Sequence, residues 1–209
     1  MNKKEIKDIK KILFKKSFKV AIFGSARIKE GRPSYKRIYN LARMIGLRNL
    51  DLVTGGGPGL MQAANKGHAD GKHSLYTKSI SLSINIPNEK IKSHADIEKN
   101  FTKFSDRLDN FITLANAVVV APGGVGTLLE LFYTWQLLQT KKIRHIPVIL
   151  LGDMWVDFMK WLKDSPLKKG YIDNMDMKLV HVARNEEEAI EIIDNEFMKY
   201  IKKNKLKIY

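Results

Sequence analysis

The chain has 209 residues, 44% of them hydrophobic, a formal net charge of +15 and no cysteine; this allows one substantial core and excludes a disulfide framework, a thiol nucleophile and a thiolate zinc cluster. No apolar stretch approaches the roughly 20 residues of a membrane span, and His68, His73, His94, His145 and His181 show no metal-ligand spacing. A single soluble, cytoplasmic domain without a metal or other cofactor is expected, and phosphate-bearing partners must be weighed because the chain is so basic.

Residues 1–19 read as a basic amphipathic helix. Eight lysines lie between Lys3 and Lys19, and Ile6, Ile9, Ile12 and Leu13 form an apolar stripe that leaves them on a solvated face. Five more lysines lie between Lys199 and Lys207. Much of the excess charge therefore sits at the two ends, which speaks against a nucleic-acid groove; a basic chain can also steer an anionic substrate, whether or not a polymer binds. Residues 20–209 read as one α/β domain. Val20-Ala21-Ile22-Phe23 is a short buried strand entering the polar turn Gly24-Ser25-Ala26-Arg27, and a helix follows from about Ser34 to Ile45 with Pro33 in its first turn. Leu50 to Thr54 is the second strand; it ends in Gly55-Gly56-Gly57-Pro58-Gly59-Leu60-Met61, whose helix runs through Met61, Ala64 and His68. Ser79 to Ile84 alternates polar and apolar as a third strand, and the polar stretch Asn85 to Asn100, with Pro87, reads as a loop over a site.

From Thr102 the spacing of Phe104, Leu108, Phe111, Ile112 and Ala115 predicts a helix that delivers the chain to a fourth strand, Ala117 to Ala121. A second glycine turn follows, Pro122-Gly123-Gly124-Val125-Gly126-Thr127-Leu128-Leu129-Glu130, then a helix from Thr127 to about Gln139. A strand at Ile146 to Leu151, a helix at Trp155 to Leu162, a strand at Lys178 to Val182 and a helix from Glu186 to about Lys203 complete the chain. Strands alternating with helices imply parallel pairing by right-handed crossovers. The expected fold is a single-domain, doubly wound, Rossmann-like parallel sheet with helices on both faces and ligands at the carboxyl ends of its strands.

Both glycine turns lie between a buried strand and an amphipathic helix. Glycine lets the backbone turn with positive φ and brings N–H groups close to a ligand. The helix that follows aims its unpaired amides and dipole at the same spot, where an anion belongs. Gly55, Gly56, Gly57 and Gly59 of the first turn, Gly123, Gly124, Gly126 and Thr127 of the second, and Gly24 and Ser25 of the polar turn are the candidate phosphate and nucleotide contacts.

With both turns in view, the chain resembles the LOG (Lonely guy) family, long labelled lysine decarboxylase-like, and especially its bacterial Rossmann-fold members. The two glycine turns in this order carry the resemblance, which runs from about Val20 to Ile193. It implies a homodimeric phosphoribohydrolase, which cleaves the N-glycosidic bond of a nucleoside 5′-monophosphate, AMP or a cytokinin riboside monophosphate, to free base and ribose 5-phosphate. It also implies a functional arginine at Arg107, fifteen residues before Pro122. The chain departs from the family in two places. Leu108 follows Arg107 where many members have lysine, and Leu129 stands where the family has the first of two adjacent carboxylates, the one assigned to the reacting sugar. The second, Glu130, is kept; helix neighbours point about 100° apart, so it does not simply replace the first.

Breaking an N-glycosidic bond passes through a ribosyl cation-like state, which calls for negative charge at the sugar and a proton for the departing base. Glu130 and Glu89 are the available acids, and Arg107 is a candidate to hold the phosphate or the base. Plainer readings stand beside these. Thr127-Leu128-Leu129-Glu130 also fits a helix capping box, Glu89 also fits an ordinary loop acid, and the histidines and Trp135, Trp155 and Trp161 fit packing or surface roles. Arg107 has Lys103, Phe104, Asn110 and Phe111 at helical spacing, with no acid among them. The loss of a carboxylate at Leu129 also fits a nucleotide-binding or carrier protein without hydrolysis. The turn at Gly24 lacks the GxGxxG spacing of a dinucleotide site, and no segment resembles a pyridoxal phosphate site.

Overall fold

The computed structural model describes residues 17–84 and 94–205. Glu89 and all but the last three positions of the expected helix at 1–19 lie outside the described residues. One sheet holds β1 (Lys19–Phe23), β2 (Asp51–Thr54), β3 (Ser79–Ile84), β4 (Ile97–Phe101), β5 (Ala117–Val120), β6 (Val148–Leu151) and β7 (Val180–Ala183). Its order is β4-β3-β2-β1-β5-β6-β7, and every pair is parallel. The helices are α1 (Pro33–Leu47), α2 (Leu60–Gly71), α3 (Phe104–Leu114), α4 (Val125–Gln139), α5 (Met154–Leu162), α6 (Asn174–Met177) and α7 (Glu186–Asn204), with a π-helical turn at Lys163–Leu167 after α5.

Side chains alternate across each strand, so the sheet feeds two apolar layers. Phe23, Val53, Leu82, Val118 and Val120 pack with Phe111 of α3, Leu131 of α4 and Trp155 of α5. On the other face Ile22, Leu52, Val119 and Ile149 pack with Ile38 and Leu41 of α1, Leu60 of α2 and Ile193 of α7. Phe111, fully buried, meets Phe23 edge to face at 5.0 Å. Burial of such a ring contributes about 1.5–3 kcal/mol, and this one fixes α3 against β1.

The structure corrects the expected loop at 85–100, because its last residues pair with β3 from Ile80↔Ile97 to Ile84↔Phe101. Ile97 and Phe101 are buried while Glu98 and Asn100 are exposed, the pattern of an edge strand guarded by polar side chains. The amino end of the sheet carries a buried ion pair, Lys19 Nζ to Asp51 Oδ2 at 3.8 Å. Asp51 Oδ1 accepts from the Lys78 amide at 2.8 Å, and Asn116 Oδ1 accepts from the Lys19 amide at 2.9 Å. These contacts tie the amino ends of β1, β2 and β5 and the residue before β3 together. At the carboxyl end, β1 and β5 lie side by side but send the chain to opposite faces, into α1 and α4. Such a divergence opens a crevice for a ligand.

Candidate functional site

Three turns meet at that crevice. The Ser25 amide donates to the Pro122 carbonyl at 3.1 Å and the Ser25 carbonyl accepts from the Leu60 amide at 3.0 Å, so the turn after β1 ties the two glycine turns together. Gly24 fits between Ala121 and Leu60, either of which would lie 3.1 Å from an added Cβ.

The glycines of the first turn answer to protein neighbours. Gly56 and Gly59 have φ of +73° and +67°, values that L side chains rarely adopt. A Cβ at Gly56 would lie 2.6 Å from Ser83 Oγ, and one at Gly59 would lie 2.5 Å from the Ser25 carbonyl oxygen. At Gly55 the place of a Cβ is taken by Nη2 of Arg107. Gly57 is buried between them.

The second turn differs. Gly123 abuts the Thr127 side chain, but a Cβ at Gly124 or Gly126 would meet no atom within 4 Å. Both are exposed. Gly124 caps α4 in extended backbone at φ −98°, with no side-chain cap and no acid in the first turn. The positive end of a 15-residue helix thus faces open space through exposed glycine backbone. The capping-box reading is overturned here. The helix begins at Val125 rather than Thr127, so Thr127 lies inside the first turn and Glu130 lies beyond reach of the cap.

Glu130 faces α3 instead. Arg107 and Glu130 are each only 9% exposed, and Arg107 Nη1 lies 3.4 Å from Glu130 Oε1. Arg107 Nε donates to the Leu82 carbonyl at 2.7 Å, and the guanidinium lies 5.1 Å from the Phe111 ring centre. One arginine from α3 therefore touches β3, the first glycine turn and α4. Burial pushes the Glu130 carboxyl from 4.5 up to about 7, with the Arg107 charge pulling the other way. A carboxyl with this affinity gives and takes a proton near neutral pH.

Leu129 points away from the Arg107 contact and is 46% exposed. With Val125 at 85% and Phe132 at 45% it forms an apolar stripe on the outside of α4. The stripe continues into Phe158, whose ring meets Phe132 at 5.9 Å, and a groove of about 220 Å³ opens beside it between Phe132, Trp135, Leu162 and Ile172. Trp135 and Leu138 of the same helix are core residues. Trp155 is a core residue as well, and His68 is fully buried, its Nε2 meeting the Leu50 carbonyl at 2.8 Å while burial lowers its pKa.

Glu98 is the site-side residue that the motifs miss. Ser83 Oγ donates to Glu98 Oε1 at 3.1 Å, and Ser83 also supports Gly56. Among the described residues no cluster of three or more His, Cys, Asp or Glu is arranged to hold a metal, and no helix is long and apolar enough to cross a membrane.

Comparison with known proteins bears on this geometry. The model of the family described as "Possible lysine decarboxylase" matches residues 61–193. The pyrimidine/purine nucleotide 5′-monophosphate nucleosidase of Escherichia coli K12 is 33% identical over 147 residues, 64% of this chain, which spans only 30% of that protein's length. Cytokinin riboside 5′-monophosphate phosphoribohydrolase LOG7 of Arabidopsis thaliana is 30% identical over 172 residues, 76% of this chain and 73% of that protein. Among solved structures, the molybdenum cofactor binding protein of Rippkaea orientalis shares the fold, with a TM-score of 0.64, 21% identity, and coverage of 87% of this chain and 98% of that one. With its paired glycine turns and the Arg107 to Glu130 contact in place, the chain belongs to the LOG-like family described as possible lysine decarboxylase.

Proposed function

We propose that the protein is a nucleoside 5′-monophosphate phosphoribohydrolase that releases the free base from AMP or a cytokinin riboside monophosphate. The observation that carries this reading is the buried Arg107 and Glu130 contact, with its carboxyl poised at about 7, beside the open glycines that start α4. The 5′-phosphate binds at Gly124, Gly126 and Thr127, where exposed backbone and the helix dipole meet it. Gly24 and Ser25 line the crevice beside it, and the first glycine turn fixes Arg107 through Gly55. Binding energy at the phosphate then orients the distant glycosidic bond.

Protonated Glu130 gives its proton to a ring nitrogen of the base as the C1′–N bond breaks and the bonding pair leaves with the base. The resulting carboxylate faces the ribosyl cation, and water attacks C1′ and returns a proton to Glu130. Arg107 holds Glu130 in place and limits how far burial lifts its pKa. The protein works on a cytoplasmic nucleotide pool, as a homodimer through the exposed stripe of Val125, Leu129 and Phe132. The second reading, a nucleotide-binding or carrier protein without hydrolysis, is favoured by one observation, the apolar Leu129 where the family has an acid. Incubation with each nucleotide, followed by chromatography for free base, separates the two. Release that Glu130→Ala and Arg107→Ala both abolish supports the hydrolase; binding without release supports the carrier.

A further inference from the structure

We propose that Glu98 reads the base of the bound nucleotide, accepting a hydrogen bond from an N–H on the base's pairing edge, so that the site selects bases that carry such a donor. This deepens the nucleotide reading above and rests on it. Glu98 stands on the edge strand β4, exposed, yet its carboxylate is turned to the carboxyl end of β3 by the 3.1 Å bond from Ser83 Oγ. Ser83 is itself fully buried and packs on Gly56 of the first glycine turn. Its neighbour Leu82 supplies the carbonyl that holds Arg107 Nε. From α4 the contacts therefore run Glu130, Arg107, Gly55, Gly56, Ser83, Glu98, passing over the carboxyl end of the sheet from the face packed by α3 and α4 to the face packed by α2.

The order of charges along this path fixes what each end accepts. The α4 end offers exposed glycine backbone and a positive dipole, suited to phosphate. The β4 end offers a carboxylate, which repels phosphate and accepts from N–H. Three strand spacings, about 14 Å, separate β5 from β3. A nucleotide held by its phosphate at α4 spans that distance with its base; its ribose falls short, near Arg107 and Glu130. The carboxylate at the far end thus meets the base, and the glycosidic bond lies over the proton donor.

The test compares AMP with purine riboside 5′-monophosphate, whose base carries no N–H, in the wild-type protein, Glu98→Ala and Ser83→Ala. Wild type is expected to prefer AMP in kcat/KM by about tenfold or more, the selectivity of a hydrogen bond to a charged acceptor. Glu98→Ala is expected to bring the ratio close to one, and Ser83→Ala, which frees the carboxylate, to lower it part of the way. An unchanged ratio in Glu98→Ala, or equal losses for both nucleotides, overturns the role of Glu98 and leaves the hydrolase standing. If wild type binds both nucleotides but cleaves neither, hydrolysis fails, and the ratio of dissociation constants decides on Glu98 by the same criterion. Failure to bind either nucleotide overturns both readings.

Discussion

Glu130→Gln should change how stability depends on pH, by an amount that follows from burial. In the unfolded chain the carboxyl titrates near 4.5, and in the folded protein burial lifts it to about 7. Between those values the native state keeps a proton that the unfolded state releases, so wild-type stability falls as pH rises. The loss is about 1.4 kcal/mol per pH unit, or roughly 3 kcal/mol across the window. The contribution is whole below about pH 4.5 and gone above about pH 7. Glutamine does not titrate, so subtracting its curve removes every other group. Urea denaturation of both proteins at about pH 5 and about pH 8 measures the difference, and the stability of wild type relative to Glu130→Gln should be larger at pH 5 by roughly 3 kcal/mol. A flat difference between these two pH values would mean that Arg107, at 3.4 Å, keeps Glu130 ionised in spite of its burial, and that burial does not lift its pKa.

Gly126→Ala places its methyl in open space, so thermal melting should show a stability unchanged or raised by up to about 1 kcal/mol, while calorimetry should show AMP affinity lowered roughly tenfold; unchanged affinity would remove the phosphate from the start of α4. Asp51→Ala strips the buried Lys19 ammonium of its carboxylate and the Lys78 amide of its acceptor. Urea denaturation should register a loss of about 3–5 kcal/mol, and a loss under about 1 kcal/mol would show that the pair is solvated. Phe132→Asp puts a charge in the middle of the α4 stripe and should halve the mass seen by light scattering; a mass that does not change argues against that face as the dimer contact.

The parallel core was readable because its strands are buried runs bounded by turns, and Ser79 to Ile84 was placed to the residue. Ile97 to Phe101 escaped because an edge strand with Glu98, Lys99 and Asn100 inside it has the composition of a loop. The sequence also pointed to Arg107 and Glu130, but not to each other: their contact joins α3 to α4 across 23 positions, and no local spacing encodes it. The capping-box pattern at Thr127 misled because Gly124 adopts the cap conformation three residues earlier, leaving Thr127 inside the helix. The two glycine turns looked alike in sequence and differ in space. Gly55, Gly56 and Gly59 are required by Arg107, Ser83 and Ser25, whereas Gly124 and Gly126 have no neighbour that requires them. Only tertiary packing separates a glycine that admits a protein neighbour from one that leaves room for a ligand.

If the Glu130 proton drives departure of the base, the pH dependence of kcat/KM for base release from AMP carries its signature. The rate should fall as pH rises through about 7, where the Glu130 carboxyl loses its proton, and in Glu130→Gln it should be lower by about 100-fold or more with that limb gone. A Glu130→Gln protein that releases base at the wild-type rate, with the same limb near pH 7, would show that Glu130 is not the proton donor.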